Sequence, residues 1–211
     1  MKKKIIILGY SVKFRELLLK IFSKYEFHVI KWRNLEYKLN YRKIKNIYLV
    51  IVCGYDYSCN LKNLKIFLKK NIIYPYKFLM NFKNLQTRIV YINTENSKNK
   101  VTLSRYEYAK KRLAYKINKN IKNSKIIHFP VILNNNNFPD LKASFCSKLI
   151  IKILIFFKLT KAINFQDLEK RLKKEIFDKK NQNKIKKIKP FFIGFPRTIL
   201  IDRVLRLISK R

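Results

Sequence analysis

The sequence predicts an α/β protein: a parallel sheet with helices on both faces, followed by a small, mostly helical C-terminal portion. Three observations point to this class. Uninterrupted apolar runs such as Ile5-Ile6-Ile7-Leu8 and Tyr48-Leu49-Val50-Ile51-Val52-Cys53 have the composition of strands buried on both sides. Two of these runs end on a glycine, Gly9 and Gly54. Segments of helical periodicity separate the runs, and such alternation is the pattern of a parallel sheet with crossover helices.

The elements follow in order. Lys4 to Gly9 reads as the first strand, expected in the middle of the sheet. Val12, Phe14, Leu17, Leu18, Ile21 and Phe22 then mark one face of a helix. Phe27 to Trp32 and Tyr48 to Cys53 are the next strands. Leu61 to Lys70 is helical, and Pro75 to Leu85 is a second helix or its continuation. Arg88 to Asn93 is a strand, Thr102 to Asn118 an amphipathic helix, and Ile126 to Leu133 a further strand. The run Asn134-Asn135-Asn136-Asn137 marks a loop and a change of character. Helical patterns follow at 144–160 and 165–178, then a basic connector from Lys179 to Lys189, a short strand at Phe191-Phe192-Ile193, and a closing helix from Thr198 to Ser209. Residues 1–134 are therefore read as the core and 135–211 as an appended substrate or cap portion.

Composition narrows the function classes. With 211 residues and 48% apolar content, disorder of the whole chain is excluded. Three cysteines, Cys53, Cys59 and Cys146, cannot build a disulfide framework, so a reducing, cytoplasmic setting is expected. His28 and His128 stand far apart, and no metal site is expected. The longest apolar stretch, Leu149 to Leu159, contains Lys152 and Lys158 and falls short of the roughly 20 residues a span needs, so no transmembrane segment is expected. Fifty Lys and Arg against 12 Asp and Glu leave a net charge of +38, which suits nucleic acid or an anionic membrane surface. Lys, Ile, Asn, Phe and Tyr are also the residues of A/T-rich codons, however, and the lysines run along the whole chain. Nucleotide bias therefore competes with polyanion binding as the cause.

One motif carries chemistry. Tyr106-Glu107-Tyr108-Ala109-Lys110 holds a Tyr-x-x-x-Lys pair on the stripe shared by Leu103, Leu113 and Ile117. A lysine there either snorkels to the helix edge or has a task. An ammonium one turn from a phenol favours the phenolate, which would let Tyr106 act as a general acid/base. No Gly-x-Ser-x-Gly, Walker-type loop or His-Glu-x-x-His is present.

In the order of these elements the chain resembles the short-chain dehydrogenase/reductase superfamily, and most of all its extended branch of nucleotide-sugar epimerases and dehydratases. Lys4 to Gly9 resembles the family's first strand and glycine turn. Leu49 to Gly54 resembles the fourth strand beside the cofactor, and Arg88 to Thr94 the fifth, which ends in the catalytic hydroxyl. Tyr106 and Lys110 stand where the family has its catalytic pair, and Ile126 to Leu133 resembles the sixth strand, with Phe129 in place of an arginine before Pro130. The resemblance implies a Rossmann-like fold that binds NADP or NAD. Its implied cofactor contacts are Gly9, Val12, Arg15, Trp32, Arg33, Cys53, Gly54, Lys110 and Pro130, and its implied catalytic residues are Tyr106, Lys110 and Thr94.

The departures are specific. Of the glycine-rich turn only Gly9 persists, with Val12 and Arg15 at the positions of the other two glycines. Trp32 and Arg33 replace the acid that holds an NAD ribose, which turns the expected preference toward a 2′-phosphate. About fifteen residues separate the second and next strands, so the family's third strand is expected to be missing. Three functions stay open: an NAD(P)-dependent epimerase, dehydratase or reductase acting on a nucleotide sugar; a degenerate, non-catalytic binding subunit; and a polyanion-binding protein.

Overall fold

The computed structural model describes residues 3–9, 12–38, 46–59, 63–83, 85–94, 101–102, 105–140, 145–158, 161–177 and 191–192. The expected connector at 179–189 and closing helix at 198–209 lie outside the described residues. The elements are β1 (Lys4–Leu8), α1 (Val12–Ile21), β2 (Glu26–Ile30), β3 (Ile47–Val52), α2 (Leu64–Leu68), α3 (Tyr74–Met80), β4 (Arg88–Thr94), β5 (Val101–Thr102), α4 (Arg105–Asn120), β6 (Ser124–Phe129), β7 (Val131–Leu133), α5 (Phe145–Phe156), β8 (Ala162–Asn164), α6 (Phe165–Phe177) and β9 (Phe191–Phe192).

Five strands form one parallel sheet in the order β2-β1-β3-β4-β6. Alternate residues of each strand enter opposite apolar layers. Ile6, Leu8, Val50, Val52, Ile89 and Tyr91 face α3 and α4 through Phe78, Leu79, Leu113 and Ile117. Ile5, Ile7, Leu49, Ile51, Val90 and Ile127 face α1 and α6 through Phe14, Leu18, Leu168 and Leu172. Both faces are covered, which is why the strands are apolar throughout rather than alternating. The α/β class and the helices on both faces are as the sequence predicts.

Four details differ. First, β1 lies second from the edge, not in the middle. Between β2 and β3 the described chain forms a 3₁₀ segment, Trp32–Lys38, and among the described residues β2 is the edge strand. Second, the run from Ile126 to Leu133 is two strands. Pro130 has no N–H to donate, and beyond it the chain leaves β4 and pairs with β8 instead. Third, α3 is the continuation of α2, one of the two alternatives read from the sequence, and the unexpected feature is the π turn at Lys69–Ile73 that joins them. The wider turn immediately precedes Pro75, whose ring would crowd the carbonyl four residues back. Fourth, the helix at 102–118 begins later, at Arg105, after the two residues of β5.

Buried polar groups tie α6 to the sheet. Lys125 of β6, only 3% exposed, pairs with Glu175 at 3.1 Å. Arg88 of β4 donates to the Ile176 carbonyl, and Arg171 donates to that of His128 at 3.2 Å. Leu168, Leu172 and Ile176 are the apolar face of this amphipathic helix. We expect Leu172→Ala to lower unfolding stability by about 2–5 kcal/mol, the range for emptying a packed core site. Urea unfolding measures it, and a loss under about 0.5 kcal/mol, the range of surface substitutions, would show that α6 does not cover the sheet.

Candidate functional site

In a parallel α/β sheet the functional groups gather outside the C-terminal ends of the strands. Here β1 and β3 are joined at that edge. The amides of Cys53 and Gly54 both donate to the Leu8 carbonyl, at 3.0 and 3.1 Å, and the Gly9 amide donates to Ile30 at 2.9 Å. The Cys53 thiol donates to the Gly9 carbonyl. Gly9 has φ +68°, the left-handed region open to glycine. A Cβ on Gly9 would stand 2.4 Å from the Gly54 Cα, and one on Gly54 would stand 2.8 Å from the Gly9 Cα. The two backbones touch, and only glycine fits either place.

Trp32 lies across both. It follows β2 and turns its indole back over the strand ends, so that a Cβ on Gly54 would meet ring carbon Cε3 at 2.2 Å and one on Gly9 the same atom at 3.1 Å. The side chain is 7% exposed and belongs to the apolar layer under α3 and α4. Beside it a cavity of about 10 Å³, lined by Trp32, Arg33, Glu36, Asp56, Lys70 and Tyr74, holds no more than a water molecule.

The Tyr-x-x-x-Lys pair sits on α4 facing the same edge. Lys110 is buried, and its ammonium donates to the carbonyls of Gly54 at 3.2 Å and Ile92 at 3.3 Å, at the ends of β3 and β4. Burial lowers its pKa to about 8, opposed by the Cys53 thiolate charge. The Cys53 thiol is pushed up to about 12 by burial, against the pull of Lys110. Tyr106 packs into a cluster with Tyr55, edge-on at 4.8 Å, and Tyr57, stacked at 5.8 Å. The Lys110 ammonium is 5.9 Å from the Tyr106 ring centre. The sequence reading expected the lysine to lower the tyrosine's pKa. Instead burial, the neighbouring Tyr57 and Tyr91, and the hydrogen bond to Tyr57 raise it well above its ordinary value.

The loop after β3 is held by a residue that sequence reasoning passed over. Asp56, 2% exposed, accepts from the Ser58 amide at 3.0 Å, the Ser58 hydroxyl at 2.6 Å and the Cys59 thiol at 3.3 Å. Burial opposes its ionisation, yet these bonds and the Arg33 charge outweigh burial and hold its carboxyl below the usual value. Asn71, in the π turn, accepts from the Asp56 amide at 2.8 Å and donates to its carbonyl at 3.1 Å. No local motif announces this clamp, since its halves lie fifteen residues apart in different elements.

Of the residues expected to touch a cofactor, Gly9, Trp32, Cys53, Gly54 and Lys110 come together at this edge. Arg33 is on its rim, with Nε 3.4 Å from Asp56 and its side chain 71% exposed. Arg15 is exposed on α1, which covers the opposite sheet face from Trp32. Pro130 is buried between β6 and β7. Thr94 ends β4 opposite Phe129 and Val12 begins α1, and the side chains of both lie outside the described set.

No protein-family profile matches the sequence, and no curated protein matches it either. Solved structures do match. WbmG of Bordetella bronchiseptica in complex with NAD superposes with a TM-score of 0.61 at 7% identity, over 86% of this chain and 71% of that one. The dTDP-4-dehydrorhamnose reductase of Bacillus anthracis in complex with NADP gives 0.56 at 12% identity, over 84% and 72%. A short-chain dehydrogenase/reductase superfamily protein from Agrobacterium tumefaciens with bound NAD gives 0.51 at 12% identity, over 62% of this chain and half of that one. The fold is therefore the Rossmann-like fold that these structures share. The sequence-based resemblance to that superfamily holds, and NAD or NADP is what these structures carry.

The surface over Gly9 and Gly54 is covered by the Trp32 indole. In the family's turn the backbone approaches the pyrophosphate at the second glycine, a position held here by Val12.

Buried Lys110 gives the site a pH signature. A lysine whose folded pKa of about 8 lies below its ordinary 10.5 binds fewer protons folded than unfolded in that window, so stability rises with pH from about 8. Cys53 acts oppositely between its ordinary 9.0 and about 12, because the folded state keeps a proton that the unfolded chain loses. We expect the urea midpoint to climb between pH 8 and 9 and to level off above. Lys110→Met should abolish the climb, and an unchanged profile in that variant would assign it to another group.

Proposed function

We propose that this chain is a Rossmann-fold subunit of the short-chain dehydrogenase/reductase kind whose dinucleotide cleft is closed by its own side chains, and that it works by binding rather than by hydride transfer. The observation that carries this reading is the Trp32 indole seated across Gly9 and Gly54. Three further features support it. Lys110 spends its N–H groups on backbone carbonyls. Tyr106 donates its hydroxyl within a tyrosine cluster that raises its pKa. Arg33, the expected partner of a 2′-phosphate, pairs with Asp56.

One observation favours a second reading, an NAD(P)-dependent reductase or epimerase acting on a nucleotide sugar. Tyr106 and Lys110 keep the family's spacing, and Lys110 reaches the strand ends where that chemistry would occur. In that reading Tyr106 would exchange a proton with the substrate, Lys110 would orient it, and Thr94 would hold the reacting hydroxyl. Trp32 would first have to leave the glycines.

The two readings part on one titration. Trp32 is the sole tryptophan, so its fluorescence reports directly on its own displacement. We expect no saturable change with NADPH or NADH up to about 1 mM, a free energy near −4 kcal/mol. A saturable response at lower concentration, with NADPH tighter than NADH and the difference narrowed by Arg33→Ala, would establish the second reading. Turnover abolished by Tyr106→Phe with binding intact would complete it.

A further inference from the structure

The outward face of α5 is apolar. Phe145, Leu149, Ile150, Ile153, Phe156 and Phe157 are between 43% and 80% exposed. At 100° per residue Phe145, Leu149, Ile153 and Phe156 fall within one stripe about 80° wide, with Ile150 and Phe157 along its edge. The less exposed side, with Ile151, Leu154 and Ile155, is apolar too, so the helix carries more apolar surface than its contact with the rest of the protein covers. A contiguous apolar patch of this kind marks a surface for a partner.

The charges around it indicate which partner. Between Leu141 and Gln166 there are five lysines and no carboxylate. Lys152 is exposed and borders the stripe, 5.3 Å from the Phe138 ring centre beside the Phe138–Phe145 stack, and Lys158 is exposed just past the end of the helix. A second copy of the chain would bring like charge against like, +38 against +38. A surface that is both apolar in depth and negative at its rim answers both features. No helix among the described residues is long and apolar enough to cross a membrane, so the contact would be in the plane of the interface.

We infer that α5 docks the protein on an anionic lipid surface, with the phenylalanines and aliphatic residues entering the acyl boundary and Lys152 and Lys158 reaching the headgroups. Exposed apolar side chains enter the headgroup/acyl boundary, and a bordering lysine lays its stem along the apolar surface while its ammonium stays at the headgroups. Anionic lipid adds an electrostatic attraction that neutral lipid lacks. This inference is independent of whether the cleft binds a dinucleotide.

The test is co-sedimentation of the full chain with vesicles of phosphatidylcholine alone and of phosphatidylcholine with phosphatidylglycerol. We expect partition onto the anionic vesicles only, reduced at least tenfold by Ile153→Glu/Phe156→Glu and reduced several-fold by Lys152→Gln/Lys158→Gln. All four positions are exposed, and circular dichroism of each variant checks that the fold is kept; Ile153→Ser/Phe156→Ser repeats the test without added charge. Anionic binding that survives loss of the apolar stripe would reduce the contact to nonspecific charge and overturn the proposal. So would absence of binding. A dimer in analytical ultracentrifugation that the same substitutions dissociate would assign the stripe to a second copy instead.

Discussion

The contact between Gly9 and Gly54 under the Trp32 indole is the constraint on which the strand-end architecture depends. The chain has only three glycines, and two of them meet here. A single methyl group on either residue would overlap the other's backbone. The adjoining bonds follow from that approach. The amides of Cys53 and Gly54 both reach Leu8, the Cys53 thiol reaches Gly9, and Lys110 caps the Gly54 carbonyl from α4. Each bond shortens the distance between β1 and β3 at their ends. Trp32 then seals the junction from above. The protein's own indole thus covers the surface over these two glycines.

This arrangement changes what the Tyr-x-x-x-Lys spacing means. An acid/base tyrosine needs a stabilised phenolate and a clear approach for the reacting group. Tyr106 has neither: the nearest cation has its N–H groups directed at carbonyls, and rings from Tyr55 and Tyr57 fill the approach. Lys110 meets a different requirement. A buried ammonium is costly unless hydrogen-bonded, and two carbonyls at the ends of neighbouring strands supply those bonds. The lysine thus joins α4 to the sheet. In the proposed binding subunit the same two residues at the same spacing would serve packing, the difference lying in what surrounds them.

Much of this was legible in the sequence, for a physical reason. Strands buried on both faces must be apolar at every position, and amphipathic helices must repeat every 3.6 residues, so β1, β3, β4 and α4 announce themselves by composition. What composition does not encode is direction. Nothing in the order Val29-Ile30-Lys31-Trp32 says that the indole folds back over β1 and β3 rather than outward. The Asp56–Asn71 clamp is illegible likewise, because it joins a loop to a π turn that Pro75 induces. The division of Ile126 to Leu133 could have been anticipated, since Pro130 cannot donate to a ladder. It was masked by apolar residues on both sides, which look the same whether they pair with β4 or with β8.

The charge balance bears on how such a chain stays folded and where it can reside. Twelve carboxylates cannot neutralise fifty cations, so most lysines have no acidic partner of their own. Several carboxylates that form ion pairs are placed where they matter for packing: Glu175 meets the buried Lys125, Glu169 joins Lys20 of α1 to Lys173 of α6, and Asp56 is the buried hub beneath Arg33. The remaining cations repel one another, and that repulsion falls when salt screens them or an opposing surface neutralises them. Nucleotide bias can account for the number of lysines. It does not account for an outward stripe of phenylalanine, leucine and isoleucine on the one helix whose surroundings, from Leu141 to Gln166, carry no acid at all.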